Sequence, residues 1–344
     1  MLLFIGCNFT KLMLVLLRKA LESCWYGGSN AAILLLPLAW LFGLLAAARR
    51  GFYHSGLLSR PVLPVPVIVV GNLSVGGTGK SPVVGWLAQQ LLDAGFKPGI
   101  VSRGYGGTHN SQPLLVDAQS DPAVVGDEPL MLAEQTGCPV CVCTDRVAAV
   151  KTVSEQRVNV VISDDGLQHY RMRRAVELIV IDGERGFGNG YLLPAGPLRE
   201  PLARLEQADA VLVNGGSASI TGIVFNLSAL HAVPLDGSEA KPLQAFSGQR
   251  VWAVAGIGNP NSFYEQLRAA GIQVDGVAVP DHGVYPLETL TAKRIQPILM
   301  THKDAVKYRS GAPENSWYVP VEVILANSDQ SKLLELIRQR IDTN

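Results

Sequence analysis

Apolar and polar positions divide the chain into three unlike stretches. The first is apolar almost throughout: Ala31 to Ala48, AAILLLPLAWLFGLLAAA, carries no charge and is followed at once by Arg49 and Arg50. As a helix it reaches roughly 27 Å, about the thickness of a bilayer's hydrocarbon core, and the basic pair suits the interface beyond. The pattern predicts a membrane-contacting helix, spanning or half-inserted, with a buried core helix as the alternative. Pro37 would kink it, which a membrane helix tolerates. Ahead of it Met1 to Leu17 is also apolar, holds Asn8 and Lys11, and ends in Arg18 and Lys19. It lacks the basic beginning and small-residue cleavage site of a signal peptide and is read as uncleaved. Met13 offers an alternative start.

From Val62 onward the text changes to short β-branched runs separated by glycine turns and helical periodicity. PVIVV (66–70) reads as a buried strand, a glycine loop follows, and Pro82 to Ala94 has helical spacing. Further runs stand at 97–102, 139–144, 158–163, 176–182 and 209–214. Runs that are apolar at consecutive positions are buried on both faces, as in a parallel sheet with helices on either side. The third stretch begins after polar text near 215–250. It predicts strands at 251–256, 297–301 and 317–324, a helix near Ser262 to Ala270, and a closing helix after Ser328. The expected organisation is a membrane-associated segment (1–60), an α/β core (61–225) and a smaller C-terminal α/β lobe (226–344), with a cleft between the lobes.

Composition narrows the partners. With 29 basic and 29 acidic residues in 344, the formal charge is zero, so the basic surface that nucleic acid requires is not expected. Charged residues are 17%, against about 25% in ordinary soluble domains, which reflects the apolar entry segment. Five cysteines argue against a disulfide framework. CPVCVC (138–143) has metal-like spacing but no second Cys or His cluster, and reads better as a buried strand with small apolar thiols.

The chemistry-bearing text starts at VGNLSVGGTGKSP (70–82). Ser74, Val75, Gly76, Gly77, Thr78, Gly79, Lys80 and Ser81 form a candidate nucleotide loop between strand and helix, with Ser74 where the GxxxxGK[ST] template has its first glycine. Backbone N–H groups would converge on phosphate, Lys80 would reach the terminal phosphates, and the Ser81 hydroxyl could ligate magnesium. Asp164 and Asp165 follow an apolar run in VNVVISDDGLQH, where a carboxylate at a neighbouring strand end would serve the same metal. Asp127 and Glu128, in GDEP, precede a helix and fit capping as well as catalysis; Asp281-His282 likewise fits a simple loop contact. GIGNP (256–260) lacks the third glycine of a dinucleotide fingerprint and reads as a turn that starts a helix.

Taken together, GNLSVGGTGKSP, SRGYGG (102–107), GDEP (126–129), DDGLQH (164–169), LPAGPLREP (193–201), Asp281-His282 and THKDAVK (301–307) resemble the tetraacyldisaccharide 4'-kinase (lipid A 4'-kinase) family, in order along nearly the whole chain after residue 25. The resemblance implies a P-loop NTPase-like parallel sheet and transfer of the ATP γ-phosphate to the 4'-hydroxyl of an acylated glucosamine disaccharide 1-phosphate, with Mg2+, at the cytoplasmic face of the inner membrane. No protein partner is implied. Carried over by position, the loop residues bind nucleotide, Asp164 and Asp165 organise magnesium, and Asp127 deprotonates the sugar hydroxyl with His282 as companion. Arg199 meets phosphate oxygens; Glu200 orients it or joins the metal shell, and Arg103 is a further candidate cation. The chain departs from the family pattern at Gly283 and at His302. Two competing readings are a P-loop ATPase or GTPase that delivers a metal or a protein, and a nucleotide-sensing membrane scaffold without turnover.

Overall fold

The computed structural model describes residues 21–27, 30–108, 111–216, 220–280, 283–286, 289, 296–308 and 311–343. Its larger sheet is built from β1 (Val67–Gly71), β2 (Pro98–Ser102), β3 (Leu114–Val116), β4 (Val140–Val142), β5 (Val160–Asp164), β6 (Val176–Asp182), β7 (Ala210–Asn214) and β8 (Ile223–Ser228). A smaller sheet holds β9 (His231–Pro234), β10 (Lys241–Pro242), β11 (Arg250–Ala255), β12 (Gln273–Ala278), β13 (Ile298–Thr301) and β14 (Ser316–Val319), and β15 (Glu322–Leu325) returns to the larger one. The orders are β15-β8-β7-β6-β1-β5-β2-β4-β3 and β10-β9-β14-β13-β11-β12. In the larger sheet every neighbouring pair is parallel except the two edges, β3 on β4 and β15 on β8.

Burial follows the text. Strands β1, β2 and β5 are buried at every position, because helices cover both faces of the sheet. On one face, helix α2 (Lys80–Asp93, which follows the N-terminal helix α1, Leu36–His54) sets Val84, Leu87 and Leu91 against Ile68, Ile100 and Ile162. Its neighbour α3 (Asp127–Thr136) adds Leu130 and Leu132 to the same core. On the other, α4 (Arg146–Ser154) sets Val147 and Val150 against Val69, Val101 and Val161. Each such side chain contributes roughly 1.5–3 kcal/mol on full burial. The smaller sheet packs on α5 (Pro260–Ala269), where Phe263 and Leu267 meet Val251 and Trp317; the single turn α6 (His302–Ala305) follows β13.

Two readings of the sequence change. The run 317–324 is two strands in two sheets, because Pro320 has no N–H to donate and interrupts pairing between β14 and β15. The closing helix α7 (Asn327–Asp342) buries Leu333 and Ile337 in the larger core beside Ile68 and Leu87. The small lobe, expected over 226–344, is thus inserted between β8 and β15, and the chain ends on the larger lobe.

A 3-10 turn over Asn30–Leu35 leads into α1 (Leu36–His54). Within the span Ala31–His54 the most apolar 18 residues have a mean hydropathy of 2.3. Ala39 is the one buried residue within α1, whereas Trp40 is 71% and Leu44 67% exposed. It is not the buried core helix of the alternative reading. One of its contacts with the body is at Gly43, where a Cβ would lie 2.8 Å from the Leu192 side chain. The apolar stretch Met1 to Leu17 lies outside the described residues.

Candidate active site

Register places the first part of the site. Val70 of β1 is the parallel partner of Asp164 of β5, so both strands leave the sheet at the same edge and side by side. After β1 the chain makes the loop 72–79 and enters α2; after β5 it makes the Asp164-Asp165 turn. Gly76 and Gly79 have φ of 121° and 92°, conformations that cost a side-chain-bearing residue far more than glycine. Gly79 is the N-cap of α2, which puts Lys80 and Ser81 in the helix's first turn, where unpaired N–H groups and the helix dipole favour an anion. Ser74 needs no glycine. Its backbone bridges Leu198 in antiparallel fashion, Val75 N–H donates to Pro197 O at 2.8 Å, and Arg199 N–H donates to Leu73 O at 2.6 Å. The LPAGPLREP segment is therefore the loop's own partner strand, and Asn72 Nδ2 donates to Ser74 O at 2.7 Å.

That pairing delivers Arg199 to the acidic pair. Its guanidinium forks onto Asp165, Nη1 to Oδ2 at 3.1 Å and Nη2 to Oδ1 at 2.9 Å, and also donates to Asn72 Oδ1. Lys80 Nζ lies 3.8 Å from Asp165 Oδ1. Burial pushes the Asp165 carboxyl up, but Lys80 and Arg199 outweigh it and hold the group well below the ordinary carboxylate range. Asp164 goes the other way. Fully buried and facing the charge of Glu128, its carboxyl rises well above the usual range despite Lys80. Asp164 Oδ1 and Thr78 Oγ1 are both buried without a hydrogen-bond partner.

Orphaned oxygens beside a phosphate loop fit a hard cation with oxygen ligands. Among the described residues no group of three or more His, Cys, Asp or Glu could hold a metal by itself. The donor set thus fits magnesium completed by phosphate oxygens and water, not a protein-only cage. CPVCVC supplies Cys141 and Cys143 to the strand β4 region, both buried, and burial pushes the Cys141 thiol up to about 12.

Asp127 is positioned by glycines. The SRGYGG and GDEP backbones are so close that a Cβ on Gly104 would lie 2.9 Å from Val125 O, and one on Gly126 2.8 Å from Tyr105 O. That contact presents Asp127, the first residue of α3, buried at the lobe junction. Across the junction Lys307 Nζ lies 3.3 Å from Asp127 Oδ2, and Lys303 Nζ 3.1 Å from Glu128 Oε1. His282 and Asp281 lie outside the described residues. The carbonyl of the next residue, Gly283, accepts from Lys307 Nζ at 2.9 Å. The GIGNP turn also reaches the site: Asn259 caps α5, and a Cβ on Gly258 would lie 3.5 Å from Gly77 N.

Glu200 is placed differently from the expectation of orienting Arg199 or joining the metal shell. It is 2% exposed; one carboxylate oxygen accepts from Tyr170 OH, the other from Arg50 Nη1 at 3.2 Å. It ties the end of α1 to the active-site segment. Arg103 is exposed. Two residues were missed in the sequence. Arg146, 2% exposed, donates to Cys143 O at 2.6 Å and Asp164 O at 3.3 Å, and burial pulls its guanidinium down to about 10. Its only signal was its place just after a buried strand, behind Asp145, which caps α4. Lys307 had none beyond its place in THKDAVK.

A glycine cradle at a helix N-terminus, an acidic pair on the neighbouring strand and a second lobe whose GIGNP turn meets the cradle define a P-loop phosphotransferase. The family model for tetraacyldisaccharide-1-P 4'-kinase matches residues 31–342. The chain is 45% identical to the tetraacyldisaccharide 4'-kinase of Actinobacillus succinogenes over 92% of its length and 97% of the relative's. With that of Alkalilimnicola ehrlichii it shares 50% identity over 84% of this chain and 87% of the other. The crystal structure of LpxK from Aquifex aeolicus in complex with ATP superposes with a TM-score of 0.77 at 30% identity, covering 90% of this chain and 99% of that one. The chain belongs to the tetraacyldisaccharide 4'-kinase family and is a kinase.

Proposed function

We propose that the chain transfers the γ-phosphate of ATP to the 4'-hydroxyl of a tetraacyldisaccharide 1-phosphate, working at the cytoplasmic face of the inner membrane. The observation that carries the reading is the adjacency of the loop and the Asp164-Asp165 turn, fixed by the Val70–Asp164 register. Gly76 to Ser81 cradle the nucleotide phosphates through backbone N–H groups while Ser74 and Val75 anchor the loop to the 197–199 segment, and Lys80 adds its charge at the terminal phosphates. Magnesium, held by Ser81 and the aspartate pair, would neutralise charge on those phosphates. Arg199 keeps Asp165 ionised and aimed. Asp127, with His282 as companion, orients the sugar hydroxyl and takes its proton late in the transfer, which a weak base can do in phosphoryl transfer. The exposed apolar face of α1 seats the site at the bilayer, where an acylated acceptor resides.

Lys80→Ala, Asp165→Ala and Asp127→Ala should each lower kcat/KM by about a hundredfold or more in a folded protein. The test is phosphorylation of the purified lipid with analysis of the product by mass spectrometry and NMR. A new phosphate on the 4' oxygen is expected; full activity in Asp127→Ala would remove the base assignment.

A further inference from the structure

Lys307 is 3% exposed; its ammonium donates to Asp304 Oδ1 at 3.0 Å and Gly283 O at 2.9 Å, and forms an ion pair with Asp127, Nζ lying 3.3 Å from Oδ2. Two of its three N–H groups are thereby anchored within the small lobe, which fixes the ammonium beside Asp127. Asp304 is as tightly held. Its Oδ2 accepts Gly256 N–H at 2.8 Å and the Thr301 hydroxyl at 2.6 Å. A Cβ on Gly256 would fall 2.6 Å from Asp304 Oδ1 and 3.5 Å from Lys307 Nζ, so only glycine lets the turn close on the pair. The same turn continues to Gly258, at the phosphate loop. Apart from Asp127, every group named belongs to the small lobe.

We propose that Lys307, clamped by Asp304 in the small lobe, is the positioning residue for Asp127, so that the base is set for proton removal only when the small lobe is seated on the larger one. A carboxylate at a helix start can swing about its χ angles; one fixed by an ammonium whose other two bonds are anchored cannot. Burial strengthens the pair, and removing one partner of a buried ion pair leaves the other charge uncompensated. The GIGNP turn gives the arrangement its link to nucleotide: the backbone that donates to Asp304 also covers Gly77.

The proposal rests on Asp127 acting in the transfer, and the experiment separates the two. Lys307→Met should lower kcat by about a hundredfold while the KM for ATP changes less than about twofold, and Lys307→Arg should recover part of the loss. Placed on Asp127→Asn, Lys307→Met should cost little more, about threefold at most, because the two act as a unit. Asp304→Asn, which keeps the side chain's shape, should reproduce the kcat loss and serves if Lys307→Met does not fold. Equal losses from Lys307→Met in both backgrounds, or an unchanged kcat, would overturn the positioning role. An active Asp127→Asn enzyme would instead sink the base assignment beneath it.

Discussion

Arg199 is placed by its backbone N–H, which pairs with the phosphate loop, and its planar fork takes both oxygens of Asp165, which a lysine could not do. Arg199→Lys should keep the charge but lose the bidentate geometry, and kcat is expected to drop at least about tenfold with little change in thermal stability. Steady-state kinetics beside a thermal melt would check it; wild-type turnover would refute the role. His302 yields a pH prediction. Burial holds its imidazole down to about 4, and it is stacked on Tyr318 at 4.4 Å. Glu134 at 3.5 Å would favour the cation, but burial outweighs it. Because the folded value lies below the unfolded one, the unfolded chain binds more protons between about pH 6.5 and 4, and stability is lost as pH falls through that window. Near pH 5 the loss is about 2 kcal/mol, and His302→Gln should unfold with a shallower pH dependence over the same range. The places of the loop glycines, Lys80 and the paired aspartates, at the ends of neighbouring strands, were legible because they follow from local text. Glu200 was misassigned and Arg146 and Lys307 missed, because their partners, Arg50, Asp164 and Asp127, are distant in sequence.

At the scale of elements, the strands of the larger sheet were legible because double-sided burial writes unbroken apolar runs. Short or half-exposed strands, β3, β8, β9, β10 and β12, write no such runs and were not foreseen. The fusion of β14 and β15 into one predicted strand failed at Pro320, whose meaning depends on which sheet each side joins. Helix α1 was legible from length and hydropathy, and its exposure makes its role testable. Glu at Leu41, Leu44 and Leu45, which are 53%, 67% and 61% exposed, removes apolar surface without touching the core. The triple variant should fold normally yet bind phospholipid vesicles at least about tenfold more weakly, since a charge at membrane depth costs a few kcal/mol. Undiminished sedimentation with vesicles would contradict a membrane role for α1.

For the molecule as a whole, the chain leaves the larger lobe after β8, builds the small sheet, and returns through β15 and α7. Anchored at both ends, the small lobe can press the GIGNP turn on the phosphate loop and Lys307 on Asp127 together. At the opposite border, Arg50 at the end of α1 holds Glu200, one residue from Arg199, so apolar helix and phosphate site meet through adjacent residues. Sequence alone predicted an apolar entry helix and a nucleotide loop; it did not show that one buried carboxylate joins them. A P-loop hydrolase would need the loop and the aspartates but not this apolar approach. The most direct test is to incubate the enzyme with γ-labelled ATP, magnesium and tetraacyldisaccharide 1-phosphate in neutral detergent micelles. Label should appear in the lipid, and only when the lipid acceptor is present; label released solely as inorganic phosphate, at the same rate with and without lipid, would contradict the kinase account.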